Sequence, residues 1–478
     1  MTNVNANGSI CIVFLASVMK VHFISIGGSV MHQLALALRQ KGYGVTGSDD
    51  EIFEPSRTVL EQAGLLPERL GWYAENITSD LDAVLLGMHA RANNPELLQA
   101  QALQLPVFSF PEYIYRESRE KLRVVIGGSH GKTTTTGMVM HVLKHQAMAF
   151  DYLVGARIPG FDQSVAISNA PILVCEGDEY PASAVEKRPK FHFLHPHIAV
   201  ITGIAWDHIN VFPTYAGYVE QFNIFINKLE PGATLIYCSH DADLVNLVEN
   251  HPRADITKIP YGIAPHRVAN GTTILELEGN EAELQIFGNH NLMNIQAAWL
   301  VCSRLGVSAA GFASAIASFT GASRRLEVLA RQGNRTVYRD FAHAPSKVKA
   351  TLEAVRNQFP ASRLVAVLEL HTYSSLNAAF MPHYRNALLG ADAACVFYSP
   401  HAMEIKKMPP LPAEVVREGF AHENLTICTN PAELEAFLAA QMAAGQNLLL
   451  MSSGSYDGLN TADLAANWVS LSERGEDN

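Results

Sequence analysis

Apolar runs of strand length alternate with stretches of helical spacing through most of the chain, the arrangement that builds parallel sheets covered on both faces. Three strand-to-helix transitions stand out. The first runs from a strand over Val21–Ile26 through Gly27-Gly28-Ser29 into a helix from Met31 to about Lys41. The second runs from Leu122–Ile126 through Gly127-Gly128-Ser129-His130-Gly131-Lys132-Thr133 into a helix ending near His145. The third opens after Asp340 and includes a strand over Arg363–Leu368. Between the last two, residues 234–287 are predicted to form a β-rich excursion with hairpin turns at Asn270-Gly271 and Gly279-Asn280. The expected fold is α/β in three units, residues 21–120, 121–322 and 323–478. The breaks are placed at the charged segment Arg116–Lys121 and at Gly321–Glu327. Residues 1–20 read as a leader, because Met19-Lys20-Val21-His22-Phe23 already resembles the start of the first strand.

Length and composition agree with this division. At 478 residues the chain exceeds one ordinary core, and 48% hydrophobic against 17% charged residues is a globular, enzyme-like balance. The net charge of -11, with no Lys/Arg cluster, excludes the basic stripe on which nucleic-acid binding depends. The apolar stretch Ile10–Met19 is too short to span a bilayer and lacks a positive segment before it, so neither a membrane span nor export is expected, and a cytoplasmic location is. Six scattered cysteines, none in a CxxC pair, suggest buried thiols in a reducing compartment.

The strongest chemical signal is the turn Gly128-Ser129-His130-Gly131-Lys132-Thr133-Thr134 between strand and helix. Backbone N–H groups there and the helix N-terminus would converge on phosphates, Lys132 would reach the β/γ phosphates, and the Thr133 hydroxyl would ligate Mg²⁺. The strict P-loop pattern fails at its first glycine, where Ile126 stands. Glu176-Gly177-Asp178-Glu179-Tyr180 ends another apolar strand and places carboxylates where open α/β sheets bind ligands; Glu176 is the candidate magnesium ligand. His208 lies just past a third strand, His197–Thr202, as a candidate for a second metal or for the reacting acyl group. Asn291 and Asn294 share one face of a helix and suit either an adenine edge or a capping pair. Arg325, at the second break, could clamp a γ-phosphate; Asp340 could accept from a ribose hydroxyl.

The first turn, Gly27-Gly28-Ser29, has Ser48 and Asp49 about twenty residues on, like a dinucleotide site. It lacks the GxGxxG spacing, because His32 stands where the last glycine is expected. An NAD-dependent oxidoreductase is therefore poorly supported. A phosphate-loop switch or transport ATPase would explain Lys132 and Thr133 but leaves the first unit and residues 290–294 without a role.

Taken in order, these segments resemble the Mur ligase family from Val21 to about Leu459. That family's phosphate loop also lacks the first glycine. The resemblance implies three domains, a Rossmann-like unit at each end and an ATP-binding unit between them. It implies an ATP- and Mg²⁺-dependent ligase of peptidoglycan synthesis that joins a carboxylate to an amine through an acyl phosphate, releasing ADP and phosphate. Matching position by position, Glu176 falls on the family's magnesium glutamate and His208 on its metal-site histidine. Asn291 and Asn294 fall on its adenine-site helix, Arg325 on its junction arginine and Asp340 on its nucleotide-contacting aspartate. His343 becomes a candidate phosphate contact on closure of the third unit, and Gly27, Gly28, Ser29, Ser48 and Asp49 become candidates for the uridine diphosphate substrate. Where several members carry a carbamylated lysine, this chain reads Glu220-Gln221-Phe222-Asn223, which points to the branch acting on UDP-N-acetylmuramate. Within that branch, Glu179-Tyr180 with Lys187–Phe191, Leu368–Ser375 and Met451–Gly458 resemble members that attach the recycled tripeptide L-alanyl-γ-D-glutamyl-meso-diaminopimelate. The alternative acceptor is L-alanine. His371, Tyr373, Ser374 and Tyr456 are the expected lining of a peptide pocket, and the enzyme is expected as a monomer or homodimer.

Overall fold

The computed structural model describes residues 3–4, 10–11, 18–206, 211–269, 271–321, 326–422 and 424–470. The first sheet contains β1 (Lys20–Ile24), β2 (Gly44–Ser48), β3 (Ala83–Leu86) and β4 (Val107–Ser109), parallel and in the order β2-β1-β3-β4. Helix α1 (Met31–Gln40) follows the glycine turn after β1. Strand β1 stops at Ile24, two residues short of the expected end, because Ser25 turns the backbone with a φ of 73°.

The second sheet contains β5 (Leu122–Gly127), β6 (Asp151–Leu153), β7 (Val165–Ala166), β8 (Ile172–Glu176), β9 (Ile198–Ile201), β10 (Thr234–Cys238) and β11 (Thr257–Tyr261). Its order is β11-β10-β9-β5-β8-β6-β7, parallel except for the edge strand β7. The central run Val124-Val125-Ile126 is fully buried, as befits a parallel strand covered on both faces. Register decides where the chemistry falls: Glu176 pairs with Ile126 and Ile201 pairs with Gly127, so three strand ends open on one crevice. Helix α2 (Lys132–His145) leaves that edge.

The excursion is smaller than expected. Its first two strands join the parallel sheet instead, the buried β10 first and β11 as the edge beside it. Only β12 (His266–Ala269), β13 (Thr272–Leu277) and β14 (Asn280–Leu284) form a separate antiparallel sheet. The second hairpin turns at Glu278-Gly279, both with positive φ, because Leu277 pairs with Asn280. Asn270 of the first expected turn lies outside the described residues.

Helix α3 (Asn289–Arg304) packs beside α2 and leads toward the third sheet. That sheet contains β15 (Glu327–Gln332), β16 (Arg335–Asp340), β17 (Leu364–Glu369), β18 (Ala393–Phe397), β19 (Leu425–Cys428) and β20 (Asn447–Met451), in the order β15-β16-β20-β17-β18-β19. Only the β15–β16 pairing is antiparallel. Helix α4 (Pro345–Gln358) follows β16.

Arg123 ties the segment between the first two sheets to the second. Its guanidinium is 2% exposed and donates to the carbonyls of Ser118, Arg119, Lys121, Leu194 and His195 and to Glu230 at 2.6 Å. Among the described residues no helix is long and apolar enough to cross a membrane.

Candidate active site

The phosphate loop is shaped by two glycines that the packing demands. Gly128 has a φ of 118°, and a Cβ there would stand 2.4 Å from the Thr202 hydroxyl and 2.6 Å from its backbone nitrogen. Gly131, φ 86°, caps α2, and a Cβ on it would stand 2.4 Å from the Asn294 side-chain oxygen. Further bonds hold the loop against the ends of β5 and β9: Ser129 N–H donates to Gly203 O at 2.9 Å, and Ala205 N–H donates to the Ser129 hydroxyl at 3.1 Å. The first turn of α2 has no side-chain cap, the condition under which its N–H groups can receive an anion.

Two polar contacts sit above this cradle. The Thr133 hydroxyl donates to Glu176 Oε1 at 2.9 Å, while Glu176 Oε2 accepts from Gly155 N–H at 2.8 Å. Lys132 Nζ donates to Gly128 O at 2.6 Å and to Glu179 Oε2 at 3.0 Å. Burial raises the Glu176 pKa, against the pull of Gly155 N–H and Lys132. For Lys132 burial acts downward, but the charges of Glu179 and Glu176 outweigh it and hold the ammonium above its ordinary range. The acidic run thus divides between partners: Glu176 takes Thr133, Glu179 takes Lys132, and Asp178 takes Lys190 at 2.5 Å. Glu179, 1% exposed in its side chain, is a residue that sequence reasoning did not assign. Its place in the run was visible, but spacing could not tell which of three carboxylates meets the lysine. Among the described residues no group of three or more His, Cys, Asp or Glu side chains could hold a metal. His208 and Arg325 lie outside the described residues.

The remaining candidates fall in three places. Asn291 and Asn294 are both buried and close to the loop. Asn291 Nδ2 donates to Phe287 O at 2.9 Å, at the start of its own helix, and Asn294 Oδ1 accepts from the Thr135 hydroxyl at 3.3 Å, a bond between α3 and α2. The first turn of α4 meets the loop where the Ser346 hydroxyl lies 3.3 Å from His130 Nε2. His343 is three residues from that contact, and its Nδ1 lies 2.9 Å from Phe341 O. Asp340 is buried and accepts from Leu326 N–H at 2.6 Å and Ala342 N–H at 2.7 Å, which pins the junction to the end of β16.

At the first turn, Gly27 N–H donates to Asp49 Oδ2 at 2.8 Å. Ser48 donates its hydroxyl to the buried Glu96, which also accepts from Asn76 at 2.7 Å. Ser48 and Asp49, expected to face a ligand, are both buried, with Ser48 bonded to Glu96 and Asp49 to Gly27 N–H. Ser29 is exposed.

In the third domain, His371 Nδ1 lies 3.6 Å from Glu369 Oε1, and Tyr373 is exposed beneath Lys406. Ser374 lies 3.2 Å from the Thr372 hydroxyl. Tyr456 does not suit a pocket-lining role for its ring, which is 2% exposed against Phe397; its backbone N–H is what reaches Glu369, at 2.9 Å.

Parallel sheets, with a phosphate loop on the central one, define a class: a multidomain α/β nucleotide-dependent enzyme. Comparison with known proteins narrows it. Residues 20–121 match the model of the Mur ligase family, catalytic domain, residues 126–302 that of the Mur ligase middle domain, and residues 324–454 that of the Mur ligase, glutamate ligase domain. A UDP-N-acetylmuramate–L-alanine ligase of Paenarthrobacter aurescens is 32% identical over 391 residues, 80% of this chain and 83% of the relative. One from Saccharopolyspora erythraea is 32% identical over 425 residues, 83% and 84% of the two chains. Among solved structures, the UDP-N-acetylmuramate–alanine ligase of Thermotoga maritima aligns with a TM-score of 0.65 at 21% identity, covering 94% of this chain and 98% of that one. A murein peptide ligase from Psychrobacter arcticus aligns with a TM-score of 0.58 at 20% identity, covering 95% and 99%. The chain belongs to the Mur ligase family, whose members are ATP-dependent amide-bond ligases. These relatives favour the L-alanine alternative over the tripeptide expected from short segments, since the curated names are those of alanine-adding enzymes.

Proposed function

We propose that this enzyme joins the lactyl carboxylate of UDP-N-acetylmuramate to the amino group of L-alanine, converting ATP to ADP and phosphate. The observation that carries the reading is the set Lys132, Thr133 and Glu176 on a glycine-shaped loop at the ends of β5 and β8, in a chain whose relatives bear that activity.

The residues suit the nucleotide. Glycines at 128 and 131 leave the backbone bare where phosphate oxygens approach, and Lys132 supplies a charge already raised toward permanent protonation. Lys132 exchanges Glu179 for phosphate oxygens, one anionic partner for another, so the buried ammonium is never left alone. Magnesium fits the facing hydroxyl and carboxylate of Thr133 and Glu176, hard oxygen donors of the kind it prefers; when bound it would neutralise phosphate charge. Ser129, His130 and Thr134 complete the phosphate cradle, with Arg325 and His343 joining from the third domain and His208 serving the metal side. Asn291, Asn294 and Asp340 hold the nucleoside end, and Gly27, Gly28 and Ser29 hold the uridine diphosphate. The carboxylate oxygen of the sugar attacks the γ-phosphorus and ADP leaves. The amine then attacks the acyl carbon, loses a proton, and phosphate leaves. The Ser346–His130 contact brings the third domain over the loop, which keeps water from the acyl phosphate.

A second reading, the tripeptide as acceptor, rests on the resemblance of Glu179-Tyr180 and Lys187–Phe191 to members that attach it. The Lys187–Phe191 run folds back on the acidic loop, with Pro181 bridged to Pro189 and Lys190 paired with Asp178. Competition between L-alanine and the tripeptide, followed by ADP release, decides the acceptor. Turnover needing UDP-N-acetylmuramate and preferring L-alanine supports the proposal; preference for the tripeptide replaces the acceptor, and ATP turnover without either substrate contradicts the ligase reading.

A further inference from the structure

The position that breaks the dinucleotide pattern in the first turn, His32, together with Gln33 beside it, does something no glycine could. His32 Nδ1 lies 2.9 Å from Gly28 O, so that nitrogen carries the proton and donates to the glycine turn. Its Nε2 is then an acceptor, and Gln33 Nε2 donates to it at 2.9 Å. This orients the Gln33 amide, whose Oε1 accepts from Ser164 N–H at 3.2 Å, across the boundary between the first and second sheets. Ser164 O accepts from Val154 N–H at 2.9 Å, which places the next residue, Gly155, so that its N–H donates to Glu176 Oε2 at 2.8 Å. Glu176 Oε1 in turn accepts from Thr133. Gly155 packs directly on this carboxylate, since a Cβ on it would stand 3.1 Å from Glu176 Oε2.

We infer that Gln33 is a positioning residue that couples the glycine turn of the first domain to the Glu176–Thr133 pair of the second, so that occupancy of the sugar-nucleotide site changes affinity at the ATP site. The coupling runs through one side-chain amide with two directional bonds. It rests on the reading that the first turn binds UDP-N-acetylmuramate. Gln33 is part-exposed, so its replacement leaves the core intact. Coupling energies between sites commonly correspond to a five- to about 150-fold change in affinity, and linkage makes the effect equal in both directions.

The test is calorimetric titration of a non-hydrolysable ATP analogue with Mg²⁺ into the full chain, with and without UDP-N-acetylmuramate, for wild type, Gln33→Leu and Gln33→Glu. Leu fills similar space without hydrogen bonds; Glu keeps the acceptor for Ser164 but cannot donate to His32. In wild type the sugar nucleotide is expected to change analogue affinity about fivefold or more. In both variants that factor falls to near one, while the affinity for each ligand alone stays within about twofold. In turnover at saturating UDP-N-acetylmuramate, the KM for ATP in both variants shifts by about the lost coupling factor, fivefold or more, while kcat changes less. A coupling factor in Gln33→Leu equal to that of wild type overturns the inference and leaves the functional reading standing. A wild-type chain that binds no UDP-N-acetylmuramate overturns the functional reading, and the inference with it.

Discussion

The turn after β1 and the turn after β5 follow one plan, strand, paired glycines and helix, yet they treat their polar groups differently. After β5 the positive φ angles fall on Gly128 and Gly131, and Lys132 and Thr133 stand in the first helical turn. After β1 the positive φ falls on Ser25, Gly27 N–H is already bound by Asp49, and the helix opens with Met31, His32 and Gln33. The first arrangement offers N–H groups and a cation to a polyanion; the second closes part of its turn upon itself and reaches across to its neighbour. A glycine turn before a helix is therefore a backbone device, and the side chains around it decide its chemistry.

The largest expected difference is at the lysine. Lys132→Ala is expected to lower kcat about a thousandfold in an ADP-release assay, with a loss of thermal stability far too small to account for it. Turnover within tenfold of wild type would remove the loop from the chemistry. Next come the glycines. Gly128→Ala should cost roughly 3 kcal/mol, since it adds positive-φ strain to a collision with backbone nitrogen. Gly27→Ala should cost about 1 kcal/mol, because its Cβ meets only the side chains of Asp49 and Ile52. Denaturant titration of both reads the contrast, and equal costs would mean the two turns are equally constrained.

A pH dependence probes the first turn in another way. Burial pushes the Asp49 carboxyl up to about 6, from an ordinary value near 4. With its native pKa raised, the folded chain holds the proton more tightly than the unfolded chain, so Asp49 removes stability as pH rises from about 4 through 6. Asp49→Asn keeps an acceptor for Gly27 and cannot ionise. Its stability relative to wild type should increase across that window and level off above it, whereas a constant difference would show that Asp49 titrates normally.

Much of the second domain was legible because its signals are local. The phosphate loop, the start of α2 and Glu176 at a strand end lie in short runs whose spacing dictates geometry. What the chain could not show depended on distant residues. Ser48 and Asp49 have the spacing of ligand-facing groups, but Glu96 and Gly27 claim them. Tyr456 sits in a polar loop sequence, yet its ring turns into the core against Phe397. Strands β10 and β11 looked like part of a separate excursion because the chain alone does not say which sheet a strand joins. The acceptor amine is the hardest feature to read from short segments of sequence.

The central claim is that the turn ahead of α2 grips a triphosphate. A crystal structure of the enzyme soaked with a non-hydrolysable ATP analogue and Mg²⁺ tests it most directly. The account predicts phosphates against the N–H groups of residues 128–134, with Lys132 Nζ moved from Glu179 to a phosphate oxygen. A nucleotide bound elsewhere, with the Lys132–Glu179 pair intact, would contradict it.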